Sequence, residues 1–241
     1  DSVRAAGKSP RALFEHGDVS SAFAWQVMSA TLCYAADLIP EIADTALAAD
    51  DAMKLGYAWK NGPFELIDKI GADWLVERLT AEDREVPALL RLAAEKGGFY
   101  RTEQGRLQQL GTDGVYVTIE RAPGVLLLSD IKRAGKPILR NGSASLWDIG
   151  DGVACLEFHS KMNAIDPETL AMIRKSIAAV GKDYKALVLH NEGSNYSVGV
   201  NLGLALFAIN VGAWPMMDDM VKQGQDTFKA LKFAPFPVVG A

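Results

Sequence analysis

Apolar residues three or four positions apart between residues 22 and 38 form the first clear pattern in the chain. That spacing is typical of an amphipathic helix, and Pro40 should end it because proline has no backbone N–H to donate. Asp44 and Asp50 are each suited to N-cap a further helix. Residues 1–20 are polar and mixed, which predicts a poorly ordered lead-in or connector.

A second helical stretch begins at Asn61-Gly62-Pro63. Asn61 or Gly62 can cap this helix, and Pro63 suits its first turn, where no N–H is needed. Apolar residues then recur on one face as far as Ile70, and again between residues 86 and 96, where Gly97-Gly98 stops the helix. These signals predict a compact helical domain over residues 21–97.

The pattern changes after Gly97. Alternating polar and apolar residues, with turns at Gly105 and between Gly111 and Gly114, predict one or two short hairpins. The following residues, as far as 142, are rich in glycine, proline and basic side chains. Residues 98–142 are therefore interpreted as a hairpin-containing connector, with a domain boundary near residue 142.

From residue 143 to residue 241 the pattern predicts an α/β domain. Gly150-Asp151-Gly152 marks a tight turn between two strands, and Asp166-Pro167 is an N-cap followed by proline at the first helical position. Ala186–Leu189 is a continuous apolar run, as in a strand covered on both faces. The other predicted elements are helices near 202–211 and 216–232 and a strand over 236–241.

Composition excludes several classes of function. With 49% hydrophobic and 23% charged residues, the 241-residue chain can build a globular core. Its net charge of −5 and the lack of any basic run longer than two residues argue against nucleic acid as a partner. The polar N-terminus has no signal-peptide core. No apolar stretch approaches the roughly 18 residues of a membrane span, so none is predicted.

Cysteine and histidine usage adds two further expectations. Cys33 and Cys155 are far apart in sequence, which favours free thiols in a reducing compartment, and a cytoplasmic location is expected. His16, His159 and His190 are isolated and show no metal-ligand spacing. No metal site is expected.

The segment from Asn195 to Leu202, NYSVGVNL, is the strongest candidate for chemistry. It follows a predicted buried strand and turns on Gly199 into a predicted helix. Backbone N–H groups at the start of a helix lack intrahelical partners and can stabilise a developing oxyanion. A Ser-x-Gly loop by itself is more often an ordinary turn, but its position between a strand and a helix favours a functional role.

Residues 143–241 resemble the N-terminal part of the enoyl-CoA hydratase/isomerase (crotonase) family. Residues 158–165, FHSKMNAI, are similar to the family's R-x-N-A-[LI] segment, and residues 196–202, YSVGVNL, to its F-S-A-G-A-D-L loop. The resemblance implies that the residue after Gly199, Val200, donates its backbone N–H to the thioester oxygen. It also implies that the acyl-CoA thioester is contacted by Lys161, Asn163, Ala164, Ser197 and Val198.

Residues 22–73 resemble a different family, the C-terminal helical domain of 3-hydroxyacyl-CoA dehydrogenases. The segment from Asp50 to Asp73, DDAMKLGYAWKNGPFELIDKIGAD, is similar to that family's acidic pair, A-M-x-x-G and G-P-F-E-L-x-D-x-x-G. Within this segment Asn61, Gly62 and Glu65 are interpreted as structural.

Together the two resemblances predict a multidomain α plus α/β chain. An all-helical dehydrogenase C-terminal-like domain would precede a partial crotonase-like (ClpP/crotonase) α/β spiral domain. They imply a fragment of a bifunctional β-oxidation enzyme that oxidises 3-hydroxyacyl-CoA with NAD and hydrates trans-2-enoyl-CoA. The chain has no GxGxxG, so no cofactor is expected on it and NAD is expected on an upstream domain. The catalytic glutamates are expected beyond Ala241, and the chain alone is expected to be inactive.

Two alternatives stay open. The chain can be a non-catalytic oligomerisation or docking module, or part of another crotonase-fold acyl-CoA isomerase or hydrolase, because one fold hosts many chemistries. A homo-oligomer is compatible with each of them. A dinucleotide motif upstream and a Gly-rich loop with a glutamate downstream would favour the enzyme, and their absence would favour the module.

Overall fold

The computed structural model describes residues 2–193 and 195–241. Contacts within the chain divide it into two compact units, one that ends at Gly124 and one that begins at Val125. This division lies before the boundary expected near residue 142. The difference arises because α8 (Leu128–Ala134) packs into the core of the second unit.

The described residues of the first unit form helices followed by a small sheet. The helices are α1 (Ser2–Ala6), α2 (Pro10–Glu15), α3 (Val19–Asp37), α4 (Ala46–Tyr57), α5 (Pro63–Ile70), α6 (Ala72–Ala81) and α7 (Ala88–Lys96). The strands β1 (Tyr100–Glu103), β2 (Arg106–Leu110) and β3 (Tyr116–Thr118) pair antiparallel in that order. The predicted helices over 22–38, from Pro63 and over 86–96 are confirmed, as are the hairpins.

Helix α3 was predicted from the spacing of Phe23, Val27, Ala30, Tyr34 and Leu38, but it buries a different face. Phe23 and Tyr34 are exposed, whereas Trp25 is buried. The Trp25 ring packs edge-on against Phe14, with ring centroids 5.7 Å apart. Phe14 lies in α2, so the segment 1–20 differs from the expected poorly ordered lead-in: its described residues include helices and contribute to the core.

Neither of the two aspartates expected as N-caps caps α4. Thr45 does so, because its hydroxyl accepts a hydrogen bond from Ala48 N–H at 3.2 Å. Asp50 lies inside α4, and its buried carboxylate accepts from the N–H groups of Phe64 and Glu65 at 2.8 and 3.0 Å. Asp50 therefore caps α5 from a neighbouring helix.

The second unit contains a five-stranded sheet with helices on both faces. The strands β4 (Leu139–Arg140), β5 (Ala144–Asp148), β6 (Val153–Phe158), β7 (Ala186–Leu189) and β8 (Val238–Gly240) lie in sequence order. Strands β4 to β6 pair antiparallel, and β7 and β8 continue the sheet parallel to β6. Besides α8, the described helices are α9 (Pro167–Asp183), α10 (Leu202–Asn210) and α11 (Trp214–Lys232).

Alternation along the strands gives each sheet face its own core. Leu146 and Leu156 pack with α9 and α11 on one face, whereas Trp147 and Cys155 pack with α8 on the other. The predicted turn at residues 150–152 joins β5 to β6, and all three of its residues have positive φ. Because β6 and β7 are parallel, their carboxyl ends lie at the same edge, and the loops that follow them are brought together there.

Candidate functional site

Two loops meet at the edge of the sheet where β6 and β7 end. Residues 159–166 follow β6, and residues 195–201 belong to the loop that follows β7. Ile165 N–H donates to the carbonyl of Gly199 at 2.7 Å, and Asn201 N–H donates to the carbonyl of Ile165 at 3.0 Å. The two segments singled out separately in the sequence are therefore hydrogen-bonded neighbours.

This pairing leaves the backbone N–H of Val200 without an acceptor among the described residues. Val200 and Ile165 form a parallel bridge whose two hydrogen bonds use Gly199 and Asn201, so the N–H of Val200 points away from Ile165. Within the described residues no acceptor bonds to it. Gly199 has φ 84°, a conformation that glycine adopts readily, and the Val200 side chain is 56% exposed. The site thus offers one open backbone donor at the start of α10.

The side chains of Asn163 and Ser197 hold the loop in shape. Asn163 is buried, and its Nδ2 donates to the carbonyls of Glu192 and Asn195 at 3.2 and 2.9 Å. Ser197 Oγ donates to the carbonyl of Asn163 at 2.6 Å and accepts from Gly199 N–H at 3.1 Å. Both side chains are engaged with the loop backbone, and direct substrate contact stays a prediction for them.

The other three predicted contact residues lie on the same two loops. Lys161 is exposed, and none of the described residues forms an ion pair with its ammonium group. Val198 is exposed, and its N–H donates to the carbonyl of Met162 at 3.3 Å. Ala164 is half-buried. Lys161 is therefore free to meet an anionic group of a ligand.

Asn191 is a site residue that the sequence analysis missed. It is buried two residues after the end of β7. Its Oδ1 accepts from Phe158 N–H and its Nδ2 donates to the carbonyl of Tyr196, both at 2.7 Å. One side chain thus ties the end of β6 to the functional loop. The signal that could have revealed it is an amide side chain two residues after a buried strand, where backbone groups that leave the sheet lose their hydrogen-bond partners.

An apolar cavity of ≈ 130 Å³ opens beside the loop. Val200 and Asn201 line it from the loop, and Met217 and Met220 line it from α11. Methionine side chains are flexible and polarisable, so they adapt to apolar ligands of different shape. Further apolar lining comes from Ile165, Pro167, Leu170, Ala205, Val221 and Phe228.

Asp166 is a charged residue that lines this cavity. Burial alone would raise its pKa, but hydrogen bonds from Ser143 Oγ at 2.6 Å and Thr169 N–H at 2.8 Å outweigh burial, and the pKa lies below its ordinary value. The ionised carboxylate is occupied as the N-cap of α9. It therefore has a structural role, and we assign it no proton transfer.

The sequence analysis also made predictions about metal binding, the cysteines and membrane spans, and the described residues bear on each of them. Among the described residues, no group of three or more His, Cys, Asp or Glu is placed to hold a metal ion. His159 Nε2 instead pairs with Ser145 Oγ at 2.9 Å, and burial raises the pKa of the Cys155 thiol to about 11. Among the described helices, none combines the length and apolar character that a membrane crossing requires.

The geometry defines a class of site: a backbone N–H donor beside an apolar cavity, suited to a ligand with a carbonyl group and an apolar tail. No family model matches the chain. It is 36% identical over 233 residues to a probable 3-hydroxyacyl-CoA dehydrogenase of Bacillus subtilis (strain 168), an alignment that covers 96% of this chain and 29% of that protein.

Two further similarities were found. The chain is 25% identical over 215 residues to a Rickettsia felis protein named as a fatty acid oxidation complex trifunctional enzyme, covering 89% of this chain and 27% of that protein. It therefore spans less than a third of the length of either curated relative. An enoyl-CoA hydratase/isomerase structure from Xanthobacter autotrophicus Py2 overlaps 42% of this chain and 39% of its own, with 24% identity and a TM-score of 0.37.

Proposed function

We propose that the chain is a segment of a fatty-acid β-oxidation enzyme whose second unit binds the thioester of an acyl-CoA. The observation that carries the proposal is the N–H of Val200 beside an apolar cavity, since no acceptor in the described part of the chain bonds to it. The similarity to a probable 3-hydroxyacyl-CoA dehydrogenase and to a protein named for fatty acid oxidation supports it.

The reaction that best suits this arrangement is the hydration of a trans-2-enoyl-CoA. Water adds to C3, the π electrons of the C2–C3 double bond shift towards the thioester, and negative charge collects on its carbonyl oxygen. The Val200 N–H would donate to that oxygen. A fixed backbone donor needs little reorganisation as charge develops and typically contributes about 10²–10³ in rate. The proton transfers at water and C2 need acid–base groups that we assign to no residue of this chain.

The two ends of the substrate would meet different parts of the second unit. Lys161 is exposed, and a flexible ammonium group suits a phosphate of coenzyme A. Met217 and Met220 line the cavity and suit the apolar acyl chain. The predicted contacts at Ala164 and Val198 would lie between these two ends.

We infer that the first unit belongs to the dehydrogenase half of the same enzyme, which would oxidise 3-hydroxyacyl-CoA with NAD. The first unit, as far as the structure describes it, does not fit NAD. The described residues of the first unit form helices and an antiparallel sheet, without the parallel strand, glycine turn and helix that hold a dinucleotide. We therefore place NAD on another part of the enzyme and derive no step through it.

An NMR titration of the isotope-labelled chain tests the role of Val200. Butyryl-CoA is expected to shift the Val200 amide proton downfield, because that N–H gains an acceptor. Val153 is the internal control: its N–H donates to the carbonyl of Gly150 at 2.8 Å, and it lies at the start of β6, at the opposite end of the strand from the two loops, so its resonance should stay in place. Binding with no change at Val200 would contradict the assignment, and the absence of any binding would contradict the proposed function.

Substitution in the full-length enzyme tests the mechanism. Val200→Ala keeps the N–H and should leave hydratase activity on crotonyl-CoA within about tenfold, whereas Val200→Pro removes the donor and should lower kcat by about 10²–10³, roughly 3–4 kcal/mol. The comparison requires equal thermal stability and equal thioester binding in both variants. Equal losses in the two variants would remove Val200 from the mechanism.

A docking module is a second candidate, and one observation favours it. Large apolar side chains are exposed on α10 and α11, including Leu206, Phe207 and Trp214. Exposed apolar patches are typical of interaction sites. Sedimentation, which gives the oligomeric state, and a thioester titration together separate the two candidates. A homo-oligomer that binds no acyl-CoA favours the module, and thioester binding by the chain favours the enzyme.

A further inference from the structure

Gly224 occupies a position where glycine is unfavourable. It lies in the middle of the 19-residue helix α11, and glycine destabilises a helix interior relative to alanine because it leaves the unfolded chain more freedom. Gly224 does not have the positive φ that would require glycine. Outside its chain neighbours and the backbone of its own helix, no heavy atom of the described residues lies within 4 Å of the position its Cβ would take. Neither backbone conformation nor close packing explains this glycine.

The open space beside Gly224 belongs to the apolar cavity. Met217, Val221, Gly224 and Phe228 all line it, and their spacing of three or four residues places them on one face of α11. Gly224 is thus the gap in a row of large apolar side chains. A side chain at this position would project towards the cavity that Val200 lines from the loop.

We propose that Gly224 determines the acyl-chain length that the site accepts. The proposal rests on the proposed function, because it takes the cavity to hold the tail of the thioester bound at Val200. The missing side chain leaves space for the distal methylenes of the tail. Each methylene that enters an apolar site strengthens binding by about fourfold, so four additional methylenes would give on the order of 10²-fold.

Calorimetric titration of the chain with butyryl-, hexanoyl- and octanoyl-CoA tests this role. The unaltered protein should bind octanoyl-CoA on the order of 10²-fold more tightly than butyryl-CoA. Gly224→Leu places an isobutyl group in a cavity of ≈ 130 Å³ and should reduce this preference to less than tenfold, with butyryl-CoA affinity changed by less than about threefold. Gly224→Ala should give an intermediate preference and a higher Tm, because alanine favours the helix.

Gly56 provides the matched control. It also lies in a helix, α4, and outside its own helix backbone and chain neighbours no described heavy atom lies within 4 Å of its Cβ position. Gly56 does not line the cavity. Gly56→Leu should leave the chain-length preference unchanged. If Gly224→Leu binds all three thioesters as the unaltered protein does, the role of Gly224 is overturned and the proposed function stands. If no thioester binds the unaltered protein, the proposed function itself is overturned. Should Gly224→Leu fail to fold, an unchanged preference in Gly224→Ala overturns the role equally.

Discussion

Asp50 links three parts of the first unit through one buried carboxylate. It accepts hydrogen bonds from the N–H groups of Phe64 and Glu65 and, at 2.7 Å, from the hydroxyl of Tyr100. Burial raises its pKa to about 6, although these hydrogen bonds act in the opposite direction. A Cβ on Gly62 would lie 2.3 Å from Asp50, so glycine at that position leaves room for the carboxylate.

The raised pKa predicts that Asp50 weakens the fold as pH rises. Between pH 3.8 and about 6 the folded state keeps a proton that the unfolded state has released, so the free energy of unfolding should fall across this window. The fall from this group is on the order of 3 kcal/mol. In Asp50→Asn this fall in stability with pH should disappear. At pH 4 the variant should also be less stable than the unaltered protein by about 1–3 kcal/mol, because the NH2 of its amide group cannot accept hydrogen bonds from the backbone donors. Urea unfolding from pH 4 to pH 7 measures the pH dependence of the free energy of unfolding and the stability difference at pH 4. If the free energy of unfolding depends on pH equally in the two proteins, the prediction is contradicted.

Sequence reasoning could find the local cap of α5 but not this distant one. Gly62 and Pro63 begin the helix as predicted, since their preference for these positions depends on their own backbone. Asp50 is 14 positions from Phe64, and its contact depends on how α4 packs against α5. A local pattern carries no information on that packing, which is why Asp50 was interpreted as a cap of its own helix.

At the scale of elements, α8 is held on the sheet by an ion pair to a buried carboxylate as well as by apolar contacts. Lys132 of α8 pairs with Glu157 of β6, whose side chain is only 5% exposed, and the Trp147 indole N–H donates to the same carboxylate at 3.2 Å. Leu128 and Ile131 of α8 pack on Trp147 and its neighbours. Removing the lysine would leave the buried Glu157 charge without its cationic partner.

A double-mutant cycle tests this anchor. Lys132→Met should destabilise the second unit by about 2 kcal/mol, because the buried Glu157 carboxylate loses its cationic partner. Adding Glu157→Gln should recover most of the loss, because the neutral amide still accepts from Trp147. Lys136→Met, at an exposed lysine that pairs with no described residue, is the control and should have little effect. Additive losses from the two substitutions, measured by thermal unfolding, would show that the pair is not coupled.

Helix α9 was predicted from the sequence and helix α8 was not, because α9 is marked by residues at its own start and α8 depends on contacts with the sheet. Helix α9 was predicted because Asp166 and Pro167 mark its start locally, and the structure confirms both positions. Helix α8 was interpreted as connector because a seven-residue helix is unstable alone and depends on the sheet face that it covers. The same distinction holds for the site. Both loops were found from local motifs, but Asn191 was missed because its role depends on hydrogen bonds to Phe158 and Tyr196, which the fold brings near it.

At the scale of the whole chain, each unit has its own core and the proposed site belongs to one of them. The described residues of the helical core reach as far as Leu110 and its neighbours, and the sheet cores begin at Leu128. Both functional loops and the lining of the cavity come from the second unit. The binding proposed for the site therefore needs no residue of the first unit.

Limited proteolysis tests that independence. Residues 119–127 have no regular secondary structure and 122–127 are exposed, so trypsin should cut first after Arg121, before Arg91 in α7 or Arg174 in α9. The two fragments should then resist further digestion, because each keeps a buried core. After separation, the fragment that begins at Ala122 should bind butyryl-CoA within about threefold of the intact chain, a factor that corresponds to less than 1 kcal/mol. First cleavage within residues 21–97 would contradict the division into units. Loss of thioester binding by a stably folded fragment would show that the site draws on the first unit after all.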